Sequence, residues 1–255
     1  MTLDLVEEEP RAATAPPRPV TKALLAANVA LFLLEELWGG STSLDTLVRM
    51  GAVFSRTSPV FDWTRCLAYG YLHIGPIHLI MNMTALWVMG SMIEPMLGSA
   101  RFFVLYTGAV VGGGATVALF GGDSITAGAS GGLFGLLGAE VGIFLLLARR
   151  ARSPSEREAM KQQILRILVP NVLISLVPGV SFLGHAGGFA VGFGFFALGL
   201  HRWPQVVRAR GGNVEVVSDP VFRALALVLL LLTVASIGSI FWTFEPFRAV
   251  PAVPR

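Results

Sequence analysis

Charged residues are scarce in this chain. Asp, Glu, Lys and Arg make up 14% of its 255 residues, whereas soluble domains carry roughly a quarter. This shortage excludes an ordinary soluble domain. Apolar residues make up 54% of the chain and the mean hydropathy is +0.68. They fall in long blocks with the charges between them, as expected for one membrane domain dissolved in lipid.

Cysteine is nearly absent. Cys66 is the single cysteine, which excludes an internal disulfide framework and a cysteine-based metal site. The net charge of +3 does not indicate a nucleic-acid partner, because the basic residues collect between particular apolar blocks. Seventeen of the nineteen basic residues are Arg, which suits a GC-rich bacterial genome, and we expect a bacterial plasma membrane.

Seven apolar blocks predict an all-α polytopic membrane protein. Each block is near the ~20 residues that cross the hydrocarbon layer, the fifth being the shortest. The predicted helices cover residues 22–38, 75–97, 102–120, 129–147, 164–177, 183–200 and 222–244. We expect the following segments: a disordered cytosolic tail at 1–20, a six-helix core at 21–202, a cytosolic loop at 203–220, a seventh helix at 221–245 and an outer tail at 246–255.

The distribution of Lys and Arg predicts the orientation. With the N-terminus inside, fourteen basic residues lie on the inner side and five on the outer side. The positive-inside rule therefore favours an N-in, C-out arrangement. The segment at about 39–74 then lies outside. It is rich in apolar residues, so we expect an interfacial subdomain rather than a free linker.

Polar residues at the ends of three predicted helices indicate a functional site. Ser130 and His185 each lie at the outer start of a helix that runs inward, so they share one depth. Glycines at three- and four-residue spacing follow each of them, which lets two membrane helices pack backbone to backbone. The second predicted helix carries His78 and Asn82, which share one face at i, i+4 spacing; His73 precedes it.

These residue types suit acyl transfer. His185 could take the proton of Ser130 and return it to a leaving amine. The start of the fourth helix offers unpaired N–H groups to an oxyanion, and His78 and Asn82 could donate to the same oxygen. No Asp lies inside a predicted helix, so the machinery would be a Ser–His dyad.

The same polar residues also have other possible roles. A lone membrane Ser or His is more often structural, and each residue alone is a weak indication. An aspartyl pair is excluded by the positions of the Asp residues, and the H-E-x-x-H zinc pattern is missing. A three-histidine metal site of His73, His78 and His185 stays open as a minor alternative. A transporter would need polar residues through the midplane, where Glu140 stands alone.

Together these motifs resemble the rhomboid family of intramembrane serine proteases over roughly residues 22–202. The resemblance rests on Gly128-Ala129-Ser130-Gly131, on His185-Ala186-Gly187 and on the His73, His78 and Asn82 spacing. Trp63-Thr64-Arg65 and the run from Gly90 to Phe102 add to it.

The resemblance implies a rhomboid-like six-helix bundle plus one C-terminal helix. It also implies a role for each site residue. Ser130 would be the nucleophile and His185 the base. His78, Asn82 and the Ser130 backbone N–H would form the oxyanion site, and Gly128, Ala129, His73 and Phe134 would support it. Phe134 stands where some relatives have a Tyr that stacks on the base.

The same resemblance implies partners and cofactors. Substrates would be transmembrane proteins of the lipid bilayer, cut towards the outer side, and neither cofactor nor metal would be needed. The oligomeric state stays open. A catalytically silent relative that binds membrane clients is the alternative, although such proteins typically lose the Ser or the His. We expect Glu35 to lie at the membrane interface.

Overall fold

The computed structural model describes residues 18–54, 62–122, 124–200, 206–210, 213–217 and 220–243. Long helices dominate this part of the chain. They are α1 (Pro19–Leu37), α4 (Pro76–Leu97), α5 (Ser99–Phe120), α6 (Ser130–Arg150), α7 (Pro154–Ser175), α8 (Phe182–Ala197) and α9 (Pro220–Thr243). Between α1 and α4 lie two short helices, α2 (Leu44–Arg49) and α3 (Arg65–Ala68), and a 3-10 turn (Tyr69–Tyr71).

Each of the seven predicted apolar blocks coincides with one long helix, and the largest difference is at α7. The sequence analysis starts this helix at residue 164, whereas it begins at Pro154. Ser153 caps it by accepting a hydrogen bond from the Glu156 N–H at 3.2 Å, and a proline in the first turn suits a helix start. Hydropathy misses these ten residues because their side chains are polar.

Four of these helices are long and apolar enough to cross a membrane, by length and composition: α4, α5, α6 and the Pro220–Ser239 part of α9. Helix α8 is apolar but shorter. Within the described residues, α1 and α7 do not meet the same measure of length and hydropathy. Their assignment as membrane spans therefore stays a prediction, as does the orientation.

Helix α1 is fixed to the end of α4 by a buried carboxylate. Glu94 accepts hydrogen bonds from the N–H of Val20 at 3.0 Å, from the N–H of Thr21 at 2.8 Å and from its hydroxyl at 2.6 Å. The Ser99 hydroxyl also donates to Glu94, at 2.7 Å. A carboxylate at a helix N-terminus satisfies orphan N–H groups and matches the positive end of the helix dipole. Glu94 therefore joins the starts of α1 and α5 to α4.

Glycines bring α6 and α8 into backbone contact at the centre of the bundle. A Cβ on Gly188 would overlap the Gly131 carbonyl, and one on Gly192 would overlap the Gly135 carbonyl. Helix α5 packs beside them, and a Cβ on its Gly113 would lie 2.7 Å from the Gly184 oxygen. Only glycine allows this approach, so these positions fix the separation of the two helices.

The segment between α1 and α4 folds against the bundle. Its apolar side chains form a small core with residues from α1 and from the segment before α6: Leu34, Trp38, Leu47, Met50, Ala52, Leu72, Ile125 and Ala127. Arg65 donates to the carbonyls of Val48 at 2.7 Å and Ala52 at 3.0 Å and pairs with Asp62 at 3.3 Å. Arg65 thereby fixes the last turn of α2 to the segment that follows it.

The segment after α8 contains a β-hairpin where the sequence analysis predicts only a loop. Strand β1 (Val206–Arg210) pairs antiparallel with β2 (Asn213–Val217). The sequence contains the signal, because valine-rich stretches flank Gly211-Gly212, a dipeptide typical of hairpin turns. The predicted tail at 246–255, and all of the tail at 1–20 except its last three residues, lie outside the described residues.

We expect Gly188→Ala to lower the midpoint of thermal unfolding in detergent. The added methyl group would overlap the Gly131 carbonyl, and overpacking of this kind costs about 1–3 kcal/mol. Gly194→Ala on the same helix is the matched control, since nothing lies within 4 Å of its added Cβ. Equal midpoints for the two variants would contradict the proposed close contact.

Candidate active site

Ser130 is the first residue of α6, and the segment before it is held by the backbone. Gly128 has a φ of 144°, which favours glycine. Its N–H donates to the Tyr69 carbonyl at 2.9 Å. Two residues earlier, Thr126 and Val53 exchange backbone hydrogen bonds of 2.8 and 3.0 Å. The start of α6 is therefore fixed to the segment between α1 and α4.

His185 lies in the first turn of α8 and is buried. Its ring stacks on Phe134, with centroids 3.8 Å apart and planes inclined by 10°. Phe134 follows Ser130 by one turn on α6. The Thr126 hydroxyl also contacts the Ser181 hydroxyl, which caps α8, at 3.2 Å. The starts of α6 and α8 are thus joined both by the ring stack and by this hydroxyl contact.

These contacts bring the Ser130 and His185 backbones to the same level of the bundle. Gly131, next to Ser130, packs between the Tyr69 hydroxyl and the Gly184 carbonyl. No hydrogen bond joins Ser130 to His185 among those of the described residues. Catalytic hydrogen bonds are often long in a free enzyme and shorten with substrate.

Two hydrogen-bond donors of α4 face the backbone before Ser130. A Cβ on Gly128 would lie 3.0 Å from Nε2 of His78 and 3.7 Å from Nδ2 of Asn82. Nδ1 of His78 accepts from the Ile74 N–H at 3.3 Å, so in the neutral ring Nε2 carries the proton. Nδ2 of Asn82 is buried with no partner among the described residues. Both groups are free to donate to a ligand beside Gly128.

His73 supports this group from behind. Its ring meets that of His78 edge-on, with centroids 5.3 Å apart, and its N–H donates to both oxygens of Glu35 at 3.1 and 3.2 Å. Burial, reinforced by His78, lowers the pKa of His73 to about 3, so this ring is neutral. Glu35 is fully buried. Its carboxylate faces the segment between α1 and α4, and its depth in the membrane stays a prediction.

The sequence analysis missed Ser175, the last residue of α7. Its hydroxyl lies 2.7 Å from Nδ1 of His185, and it is the one buried residue of α7. A serine near the outer end of the fifth apolar block, at the depth of His185, was the available indication. Hydropathy alone does not show which helix face it occupies.

The described residues hold no group of three or more His, Cys, Asp or Glu side chains placed to share a metal ion. His73, His78 and His185 all lie within the described part of the chain, so the structure gives no support to the three-histidine site. Glu140 is partly buried on α6, ten residues after Ser130. The structure records no hydrogen bond from it to this site.

The Rhomboid domain model matches residues 60–202, more than half of the chain. This chain belongs to the rhomboid family. The matched region contains every candidate site residue named above, together with α4 to α8 and the end of the preceding segment. Helix α9 lies beyond it.

Curated relatives include bacterial and plant proteins. Rhomboid protease GluP of Bacillus subtilis is 33% identical over 192 residues, which cover 71% of this chain and 35% of GluP. Putative rhomboid protease YdcA of the same species is 30% identical over 179 residues, covering 69% of this chain and 85% of YdcA. RHOMBOID-like protein 2 of Arabidopsis thaliana is 33% identical over 162 residues, covering 62% of this chain and 48% of that protein.

The chain thus spans a third to a half of the length of several relatives, including GluP at 35% and RHOMBOID-like protein 4 of Arabidopsis at 32%. Family membership and the apolar helices identify an integral membrane protein of a family that includes proteases.

We expect Glu35→Ala to destabilise the protein. The change would leave the buried His73 N–H without its acceptor, which costs about 1–3 kcal/mol. Unfolding in detergent measures the loss. Glu158→Ala is the control, because that exposed carboxylate contacts Gln162 and Lys161 on the surface of its own helix. An equal effect of both changes would argue against a structural role for the Glu35 contact.

Proposed function

We propose that this protein is an intramembrane serine endopeptidase in which Ser130 is the nucleophile and His185 the general base. The observation that carries the proposal is the stacking of the His185 ring on Phe134. Phe134 lies one turn after Ser130 on α6, so the stack holds the proposed base close to the proposed nucleophile. Membership of a family that includes named proteases supports it. The reaction is hydrolysis of a peptide bond in or near a transmembrane segment.

In the first half-reaction, Ser130 Oγ attacks the scissile carbonyl carbon while its proton moves to Nε2 of His185. The tetrahedral intermediate collapses as the C–N bond breaks, and His185 gives the proton to the leaving amine. An acyl-enzyme on Ser130 remains. A water molecule then attacks the ester with His185 again as base, which releases the new carboxyl end and restores Ser130. Neither metal nor cofactor takes part.

The donors beside Gly128 support an oxyanion site. Nε2 of His78 and Nδ2 of Asn82 converge there, and the first turn of α6 begins two residues later, where a helix has N–H groups without intrahelical partners. Preorganised donors that gain a partner only when charge develops lower the transition state without stabilising the substrate equally. Gly128 and Ala129 provide the backbone of this site, and His73 buttresses His78.

The proposed arrangement in the membrane has six core helices, α1 and α4 to α8, within residues 21–202, and α9 as an added seventh. With the N-terminus inside, Ser130 and His185 lie near the outer surface of a bacterial plasma membrane. The substrates are transmembrane proteins whose helix unwinds near that face. Helix α9 packs on the core, where Ser236 donates to the Thr64 carbonyl at 2.5 Å.

We expect Ser130→Ala and His185→Ala each to abolish cleavage of a model transmembrane substrate in liposomes. Removal of a triad or dyad member costs several orders of magnitude in kcat. A fluorophosphonate probe should label Ser130 only while His185 is present. Ser124→Ala is the matched control: Ser124 is exposed and bonds the Gly121 carbonyl at 2.8 Å, six residues before the proposed nucleophile.

Cleavage that survives Ser130→Ala at the wild-type rate would refute the mechanism. Binding of substrate by the wild-type protein with no cleavage and no probe labelling would instead identify a silent client-binding protein.

We expect Asn82→Ala and His78→Ala each to lower kcat by about 10²–10³-fold with a small change in KM, as for loss of an oxyanion donor. Single-turnover cleavage rates in liposomes measure the effect. Met81→Ala, an exposed neighbour of Asn82 on α4, should leave kcat unchanged. If Asn82→Ala raised KM and spared kcat, the amide would bind substrate rather than the oxyanion.

A further inference from the structure

Ser175 contacts Nδ1 of His185, the ring nitrogen that takes no part in the proposed proton transfer. Its hydroxyl lies 2.7 Å from Nδ1 of the ring. The contact joins two helices, since Ser175 ends α7 and His185 begins α8. Both residues are buried, so water does not compete freely for this hydrogen bond.

The direction of the hydrogen bond follows from the number of protons available. A serine hydroxyl has one proton. The Ser175 hydroxyl donates it to the Asn171 carbonyl at 2.8 Å, one turn back on α7. Its oxygen is then an acceptor for His185, and the 2.7 Å contact requires a proton on Nδ1. A neutral ring that carries its proton on Nδ1 has a lone pair on Nε2.

We propose that Ser175 is the positioning residue of His185, which selects the tautomer with Nδ1 protonated and Nε2 ready to accept the Ser130 proton. This inference rests on the proposed function for its consequence in catalysis, but the tautomer itself does not depend on it. Ser175 contacts no reacting atom. It acts through the ring, as the third member of other serine-protease sites does, and it does so without a charge.

The packing of α7 adds a second observation. The other described side chains of this helix are exposed or half-buried, and Ser175 is the single buried one. The hydrogen bond to the Asn171 carbonyl would by itself satisfy the donor of the Ser175 hydroxyl. The chain instead places this one serine against the imidazole, while Phe134 covers the ring face at 3.8 Å. The ring is therefore fixed both in plane and in protonation.

Ser175→Thr and Ser175→Val provide the test, because the two side chains have similar shape and only Thr keeps the hydroxyl. We expect Thr to retain wild-type kcat and Val to lower kcat by about tenfold, the effect of one lost neutral hydrogen bond, with KM little changed. Cleavage of the model transmembrane substrate in liposomes measures both constants. Loss of kcat in both variants alike would show a purely steric role and overturn the proposal.

Nitrogen NMR of histidine-labelled full-length protein in micelles reads the tautomer without any turnover. The chain has four histidines, and the spectrum of a His185→Gln variant assigns the signal. At a pH where the ring is neutral, wild type and Ser175→Thr should show a protonated Nδ1, and Ser175→Val a mixture of tautomers. A protonated Nε2 in the wild type, or an unchanged spectrum in the Val variant, would overturn the inference.

The two readouts separate the two proposals. A wild-type protein that fails to cleave or to label with fluorophosphonate contradicts the proposed protease. If its His185 nevertheless keeps the Nδ1 proton only while a hydroxyl stands at position 175, the positioning role holds. If the wild type cleaves the substrate and Ser175→Val has the same kcat and the same His185 tautomer, the protease is supported and the positioning role of Ser175 is refuted.

Discussion

The backbone contact between α6 and α8 is the constraint on which the rest of the structure depends. Lipid gives helices no hydrophobic reason to associate, so packing and polar contacts must hold them together. Here Gly188 and Gly192 meet the carbonyls of Gly131 and Gly135 with no room for a methyl group. Because Ser130 and His185 each lie beside these contacts, the backbone fixes their separation. In the proposed mechanism these two side chains must meet within about 3 Å for proton transfer, and a fixed backbone separation leaves them little rearrangement to make.

The irregular segment between α1 and α4 depends on a second constraint, the need of buried backbone groups for hydrogen-bond partners. A non-helical chain packed against a membrane bundle is tolerated where protein satisfies its polar atoms. Arg65 serves two carbonyls, Glu35 serves the His73 N–H, and the Tyr69 carbonyl receives the Gly128 N–H. The last of these contacts reaches the start of α6. The segment is therefore part of the site's support as well as its cover.

Sequence reasoning predicted most of the fold because its main signals are local. Hydropathy located each of the long helices in the described part of the chain, and the i, i+4 spacing placed His78 and Asn82 on one face. Sequence reasoning failed where the polarity of a residue does not indicate its burial or its secondary structure. The first half of α7 is mostly polar yet helical, because Ser153 and Pro154 start the helix. Glu35 is an acidic residue yet fully buried, and its hydrogen-bond partner, the His73 N–H, lies 38 residues away in the sequence. Ser175 escaped for the same reason. Its contact with His185 depends on how α7 packs against α8, which a local stretch of sequence does not determine.

The neutrality of the Ser175 contact fits the solvent in which this site has to work. A carboxylate beside a buried imidazole would stabilise the protonated ring strongly, but a charge taken from water costs several kcal/mol unless it is paired. A hydroxyl avoids that cost and, in the proposal above, still fixes the tautomer, because it accepts one hydrogen bond from Nδ1–H and leaves Nε2 free. It gives up most of the stabilisation of the protonated ring. In the proposed mechanism the donors of α4 stabilise the other developing charge, that of the oxyanion. Asn82 Nδ2, buried with no partner among the described residues, is the proposed donor there, so in this proposal a neutral partner for the base and an uncharged donor for the oxyanion both avoid burying a further charge.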